Sequence, residues 1–494
     1  MTILEFLQRA EPDATALAAD GAQLSYRDLI DVIERTQHGL NAAGLGLADK
    51  VAIVLPNGPL MAVAFLAVSA SAVAAPFNPA FREDEFRFYM EDLSVKALIV
   101  ERGSTSSAVA AASSIGVPLI EMTDDFFLHC EMSGTPQRAG FNGSDDVALV
   151  LHTSGTTSRP KIVPLTQANL VASANNIAKT LRLENADRCL NIMPLFHIHG
   201  LVAAVLATLS AGGSVYCTGG FNALKFFAQI DAAKPTWYTA VPTMHQAILS
   251  RAERNEVIIT SNPLRFIRSS SASLPVPVFN QLEAAFGCPV IEAYAMTENA
   301  HQMTSNQLPP GKRKAGLVGC SAGPDVAIMD THGNLLGAGE EGEVVTRGPN
   351  VTKGYANNPA ANEAGFAFGW FHTGDQGFMD KDGYLKITGR LKEIINRGGE
   401  KVAPAEVDEA LLEHIAVFQA VTFAMPHDKL GEDVAAAVVF HEGKSATERE
   451  LQEFVNERLA AFKVPRKILI LTEIPKGATG KLQRIGLARK LGLA

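Results

Sequence analysis

The sequence predicts a large α/β domain followed by a small α+β domain. In its first part, apolar β-branched runs alternate with Ala-rich helical segments. After about residue 315 this gives way to short strands separated by turn signals. A tail of about 100 residues then carries its own helix–strand–strand–helix pattern. At 494 residues the chain can bury several cores without disulfide or metal staples.

Taken in order, VAIVLP (51–56), KALIV (96–100), DVALVLHTSG (146–155), PTWYTAVP (235–242), LRFIRSS (264–270) and PVIEAYAM (289–296) read as buried strands. Helical segments such as 58–72, 169–181 and 277–286 lie between them. Near-continuous apolar strands alternating with helices indicate parallel sheets covered on both faces. DVAIMDTHGNLLGAGEEGEVVTRGP places the turn signals THGN and GAGEEG between short strands, which suggests a small antiparallel β unit. A break follows TGRLKEIINRGGEKVAP (388–404). Beyond it a helix at 404–414, strands VFQAVTFAM and VAAAVVFH, and a helix at 447–462 complete the tail.

Composition narrows the function classes. Lys plus Arg number 43 against 52 Asp plus Glu, a formal charge of −9 that makes a poor general binder of nucleic acid or anionic membrane. With 47% hydrophobic and 19% charged residues the chain is neither disordered nor, with 41 glycines in no three-residue period, collagen-like. The five cysteines are scattered and form no C-x-x-C, which argues against a disulfide framework or zinc site and fits a reducing compartment. The start, MTILEFLQRAEPDATAL, lacks a basic segment followed by an apolar run, so no signal peptide is expected. The apolar stretch 60–76 contains Ser69 and Ser71 and is too short for comfortable membrane insertion. The final KLGLA is not an S-K-L peroxisomal address. A cytoplasmic location is therefore expected.

Four segments carry candidate chemistry. In TSGTTSRPK (153–161), following a strand and preceding a helix, small residues leave backbone N–H groups open to phosphate oxygens, and Lys161 adds charge. It lacks the Walker G-x-x-x-x-G-K-[ST] spacing, so an ordinary solvated turn remains an alternative. EAYAMTE (292–298) ends a strand where doubly wound sheets bind ligands; Thr297 suits a phosphate and Glu298 a Mg²⁺ ion, or Glu298 caps the next helix. FHTGDQG (371–377) and TGR (388–390) offer Asp375 and Arg390 to a ribose diol, though turn chemistry alone explains such residues as well. PKGATGKLQR (475–484) presents Lys481 on a Gly/Thr-rich loop that also reads as a basic, solvated tail.

Together, in this order and spacing, the four segments resemble the adenylate-forming superfamily of acyl-CoA synthetases, peptide-synthetase adenylation domains and firefly-type luciferases. The likeness runs from SYRDL (25–29) to GKLQR (480–484). PLFHIHG (194–200), WYTAVPTMHQ (237–246), RFIRSSSASL (265–274), EAYAMTENAH (292–301), GPNVTKGY (348–355), GWFHTGD (369–375), GRLKEIINRGGEKVAP (389–404) and LAAFKVP (459–465) look most like its oxalate–CoA ligase branch. The resemblance implies two αβ sheet subdomains plus a small β-barrel-like unit over 1–390, then a mobile α+β domain over 391–494 with its hinge at Lys392. It further implies an ATP-dependent adenylation followed by transfer of the acyl group to coenzyme A, with Mg²⁺ as cofactor. Two departures stand out: Ile162 follows Lys161 where Gly is usual, and Ala295 replaces a frequent Gly.

By motif match, Thr153, Ser154, Gly155, Thr156, Thr157 and Lys161 would hold the β- and γ-phosphates. Thr297 would contact the α-phosphate and Glu298 would bind Mg²⁺; Tyr294 would stack near adenine beside Ala293 and Glu292. Asp375 and Arg390 would bind the ribose, and Lys481 would bridge the acid and the α-phosphate in adenylation. After the tail swings, Gly398 and Gly399 would line the pantetheine tunnel, with Arg397 nearby.

Oxalate is a tiny dianion, so its affinity must come from charge and hydrogen bonds rather than apolar burial. The acyl-pocket segments are polar here: His197 and His199 on one, Ser269, Ser270, Ser271 and Ser273 on another, and His301 three residues after Glu298. His199, Ser271 and His301 are the acid-binding candidates, and His197 the gate. Malonate or another small acid as substrate, a phosphopantetheine carrier as acceptor, and a nucleotide-binding homologue without activity are the alternatives.

Overall fold

The computed structural model describes residues 1–153, 160–475 and 482–494. Two mostly parallel sheets form the large domain. In the first, Leu119–Met122, Ala97–Glu101, Lys50–Val54, Val73–Pro76 and Val147–Thr153 run parallel, with Leu128–Cys130 and Lys161–Thr166 as antiparallel edges. In the second, Val290–Tyr294, Phe266–Ser269, Trp237–Ala240, Arg188–Asn191, Ser214–Cys217 and Thr15–Ala19 run parallel, again with short antiparallel edges. The strand runs read from the sequence lie at these positions, their ends displaced by a few residues.

Helix Pro59–Ser71 joins the two sheets. It is apolar all round, and every residue from Met61 to Ser71 is buried. Its side chains share one core with Val51, Ile53 and Leu149 of the first sheet and Trp237, Phe266 and Ile291 of the second. This is the segment whose apolar length raises the question of a membrane. Among the described residues no helix is long and apolar enough to cross one.

Asp325–Met329, Gly342–Arg347, Phe371–Met379 and Leu385–Arg390 form a four-stranded antiparallel sheet. The next sheet begins at Ile395–Arg397 and contains Glu400–Val402, the long hairpin Val417–His427 and Gly431–Phe440, and Lys467–Ile470. Helices Pro404–Leu412 and Glu448–Asn456 pack their apolar faces on it.

Two elements differ from the sequence reading. The loop after Thr153 leads into the strand Lys161–Thr166 before helix Gln167–Thr180 begins. Pro164 argues against a strand, but an edge position tolerates its missing N–H. The helix expected over 447–462 stops at Asn456, and a short 3₁₀ turn at Ala461–Lys463 leads the chain into Lys467–Ile470.

Candidate active site

A cleft of about 650 Å³ opens where the two parallel sheets meet the antiparallel one. Thr153 ends a strand of the first sheet, and Thr297 and Glu298 follow one of the second, the strand-end position at which open α/β sheets hold ligands. Arg390 comes from the antiparallel sheet, Lys392 from the segment after it, and Gln483 from the tail. The antiparallel register sets Thr153 opposite Lys161, so both stems of the phosphate-loop candidate line the cleft. Ser154, Gly155, Thr156 and Thr157 lie outside the described residues, as does Lys481. Ile162 packs in the core of the first sheet beside Val150 and Phe86, so this residue anchors the second stem of the loop.

Lys161 sits over the Tyr355 ring, its Nζ 4.3 Å from the centroid. The Tyr355 hydroxyl donates to the Glu298 carboxylate at 2.9 Å. Burial pushes the Glu298 carboxyl above its usual range, opposed in part by Tyr355 and Lys161. Burial and nearby Lys392 pull the Lys161 amine down, while Glu298 holds it up. Lys161, Arg390 and Lys392 line the cleft beside Glu298 and Glu343, and these three cations suit a polyphosphate. A buried carboxylate also suits a divalent cation, whose charge would offset the burial. Magnesium commonly takes one or two carboxylates and fills its remaining positions with phosphates and water. Glu298 therefore fits that role.

Asp375 is buried at the floor of this region and binds Arg390 Nε through Oδ1 at 2.8 Å. Its Oδ2 accepts from the Tyr294 hydroxyl. The carboxylate retains further lone pairs for hydroxyl donors. Its charge raises the Arg390 pKa, and burial raises that of Tyr294. Ala293 is buried on the same strand. The Glu292 side chain is 1% exposed and accepts the Leu274 N–H at 2.9 Å, with its other oxygen lacking a partner among the described residues. Burial pushes its carboxyl up to about 8. Glu292 thus braces the Ser271–Leu274 turn.

The acid-pocket candidates come together. His199 Nδ1 lies 3.0 Å from Ser271 Oγ and its Nε2 lies 2.6 Å from Thr239 Oγ1. The His199 and His301 rings stack with centroids 4.4 Å apart. His197 lines the cleft, and its Nδ1 accepts the His199 N–H at 3.3 Å. The backbone is specialised for this: Gly200 leaves no room for a Cβ, which would sit 2.4 Å from the Pro194 carbonyl oxygen. His199–Leu206 then forms a wide i→i+5 turn, and Ser271, Ala300 and His301 all have positive φ. Ser270 bonds the Ala293 carbonyl and Ser273 faces solvent, so Ser271 is the serine of this turn that reaches His199. Sequence reasoning missed Arg268, fully buried among these groups. Its signal is the second arginine of the buried-strand run LRFIRSS, three residues after Arg265.

In the small domain, Arg397 is tied to fully buried Asp433 at 2.7 Å. Gly398 and Gly399 turn a two-residue hairpin with φ of 59° and 101°, a conformation that demands glycine whether or not a ligand passes. Arg484, three residues after Lys481, bonds Asp408 at 2.7 Å and lies 3.4 Å from Glu393. The domains also touch where Gln246 Nε2 donates to the Phe418 carbonyl at 3.0 Å.

A large α/β domain with a cation-lined cleft, closed on one side by a small α+β domain, defines a two-domain enzyme for a polyanionic ligand. The chain belongs to the AMP-binding enzyme family: that family's description matches residues 5–356, and its C-terminal domain matches 406–481. It is similar to an oxalate–CoA ligase of Arabidopsis thaliana, 46% identical over 98% of this chain and 96% of that one. An oxalate–CoA ligase of Saccharomyces cerevisiae is 42% identical over 94% and 91%. Among solved structures, ATP-bound MatB from Rhodopseudomonas palustris superposes with a TM-score of 0.89 at 28% identity, covering 100% of this chain and 98% of that one.

Proposed function

We propose that this AMP-forming CoA ligase takes oxalate as its acid and makes oxalyl-CoA, with ATP and coenzyme A as co-substrates. The carrying observation is the acid pocket: buried His199 and His301 and half-buried Ser271 form a polar, hydrogen-bonded and stacked group where an aliphatic or aryl tail would need apolar walls. The oxalate–CoA ligases to which the chain is similar support the same substrate.

In the first half-reaction one carboxylate oxygen attacks the α-phosphorus of ATP and the bond to pyrophosphate breaks. Two anions must meet, so the residues act by charge compensation and alignment. Lys161 and the Thr153–Thr157 segment hold the β- and γ-phosphates, and Thr297 holds the α-phosphate. Asp375 and Arg390 take the ribose, with Tyr294 and its neighbours beside adenine. Lys481 bridges acid and α-phosphate, and His197 guards the entry of the acid. Magnesium, held by Glu298, would neutralise phosphate charge. In the second half-reaction the coenzyme A thiol, losing its proton, forms a bond to the acyl carbon and AMP leaves. Residues 391–494 turn about Lys392 between the two steps, bringing Arg397, Gly398 and Gly399 to the thiol's path. The change of sheet between Arg390 and Ile395 supports a boundary there. Five free, scattered cysteines support a reducing cytoplasmic setting.

The test is AMP release across a panel of small mono- and dicarboxylates. Oxalate is expected to be used best, with acetate and fatty acids poor. Efficient use of a medium-chain or aryl acid without oxalate refutes the assignment, and preference for malonate redirects it by one methylene.

A further inference from the structure

We propose that Arg268 is the counter-ion for the second carboxylate of the acid, and that this guanidinium makes the pocket select small dianions over monocarboxylates. The proposal rests on the reading of the cleft as an acid-activating site.

Arg268 lies on strand Phe266–Ser269, in the middle of the second sheet, and is 1% exposed. A guanidinium so deep normally has a carboxylate beside it. Three other part-buried arginines follow that rule: Arg390 binds Asp375 at 2.8 Å, Arg397 binds Asp433 at 2.7 Å and Arg484 binds Asp408 at 2.7 Å. Among the described residues no carboxylate pairs with Arg268, and its side-chain contacts all lie at the long limit of a hydrogen bond. Its Nη1 lies 3.3 Å from His301 Nε2, 3.4 Å from His199 Nε2 and 3.4 Å from Thr239 Oγ1; its Nη2 lies 3.5 Å from Gln302 Oε1. Burial pulls it down to about 9, which leaves it charged at neutral pH. A buried charge with weak contacts is costly to the folded protein, and an anion arriving beside it removes that cost.

The surrounding hydrogen bonds are polarised to receive such an anion. A guanidinium can only donate, so the Nε2 atoms of His199 and His301 face it as acceptors. The proton of His199 then sits on Nδ1 and is given to Ser271 Oγ at 3.0 Å. That leaves the Ser271 hydroxyl hydrogen for a ligand, and Ser271 is the half-buried member of the group. His301 connects the group to the cleft, three residues after Glu298, with its N–H bonded to the Met296 carbonyl. A diacid could thus place one carboxylate at the reacting phosphate and the other among Arg268, Ser271 and the stacked histidines.

Arg268→Met keeps the length of the side chain and removes its charge; Arg268→Lys keeps the charge. In Arg268→Met, kcat/KM for oxalate is expected to fall at least about 100-fold, mostly through KM, the scale of losing a buried charge-assisted pair. ATP binding is expected to hold and the melting temperature of the free protein to stay level or rise. The oxalate-to-acetate preference should collapse, and Arg268→Lys should recover much of it. The assignment is overturned if Arg268→Met retains oxalate use within threefold, or if it melts lower and loses every acid equally, the mark of a purely structural arginine. A wild-type enzyme that uses no dicarboxylate at all would instead refute the proposed function, whatever the variant does.

Discussion

On the proposed reading, the phosphate cleft and the acid pocket hold an anion in opposite ways. The cleft is open and convergent: Thr153, Glu298, Arg390 and Gln483 reach it from three sheets and the tail. Its cations are half-solvated and share their charge with neighbours such as Glu298 and Asp375. The pocket is closed, and His199, Arg268 and His301 are fully buried and held by short segments with unusual backbone geometry. An open site can exchange partners as a reaction proceeds, whereas a closed one can only accept or reject a shape and charge. The proposed function thus puts chemistry in the cleft and selection in the pocket.

The largest expected effect tests the convergent side. Lys481→Met should slow acid-dependent pyrophosphate exchange by about 10²–10³. Thioester formation from supplied acyl-adenylate should change far less, and equal losses in both would end the division of labour between half-reactions. Next, Asp375→Asn removes the ionic partner of Arg390 and Tyr294. The KM for ATP should rise roughly 10- to 100-fold, as expected for losing a charged hydrogen bond, with the KM for oxalate unchanged. Arg268→Met is its mirror image, striking acid use and sparing nucleotide, and the pair of variants measures how separate the two regions are.

A smaller effect is a shift in pH dependence. The ionised Glu298 carboxylate is the form that can hold a cation, so activity should fall as pH drops through its raised pKa. Tyr355 lowers that pKa by donating to the carboxylate. Tyr355→Phe keeps the ring beneath Lys161 and should move the acid limb of kcat/KM for ATP to higher pH; an unmoved limb would separate Glu298 from the titration. The smallest effect is on stability. Burial lifts Glu292 to about 8, so the folded protein retains a proton that the unfolded chain releases above the ordinary glutamate pKa. Stability from this group is full below that pKa and declines as pH rises to about 8. Glu292→Gln should flatten the decline in melting temperature between the ordinary glutamate pKa and about 8.

The two regions also differ in how far the sequence reveals them. The cleft was legible because Thr153 and Arg390 end strands, Thr297 follows one, and Asp375, inside strand Phe371–Met379, is flanked by glycines that mark it out. The strand Lys161–Thr166 was not, since Pro164 masks an edge position that only the sheet order exposes. In the pocket, His199, Ser271 and His301 are legible because their segments carry histidines and serines where an apolar acid would call for apolar residues. Arg268 is not, because a charge within a strand usually points to solvent, and only the covering of both sheet faces turns it inward. The i→i+5 turn at His199–Leu206 has no sequence signature at all, being apolar on every side.

The wedge helix Pro59–Ser71 has a consequence for biosynthesis. Half of its partners, Trp237, Phe266 and Ile291, leave the ribosome well after it does. At about 5–20 residues per second the nascent chain carries this greasy rod uncovered for on the order of ten seconds. A chain released before the second sheet is complete has nowhere to hide it, so premature termination in that interval should yield aggregates and chaperone clients rather than a smaller folded protein.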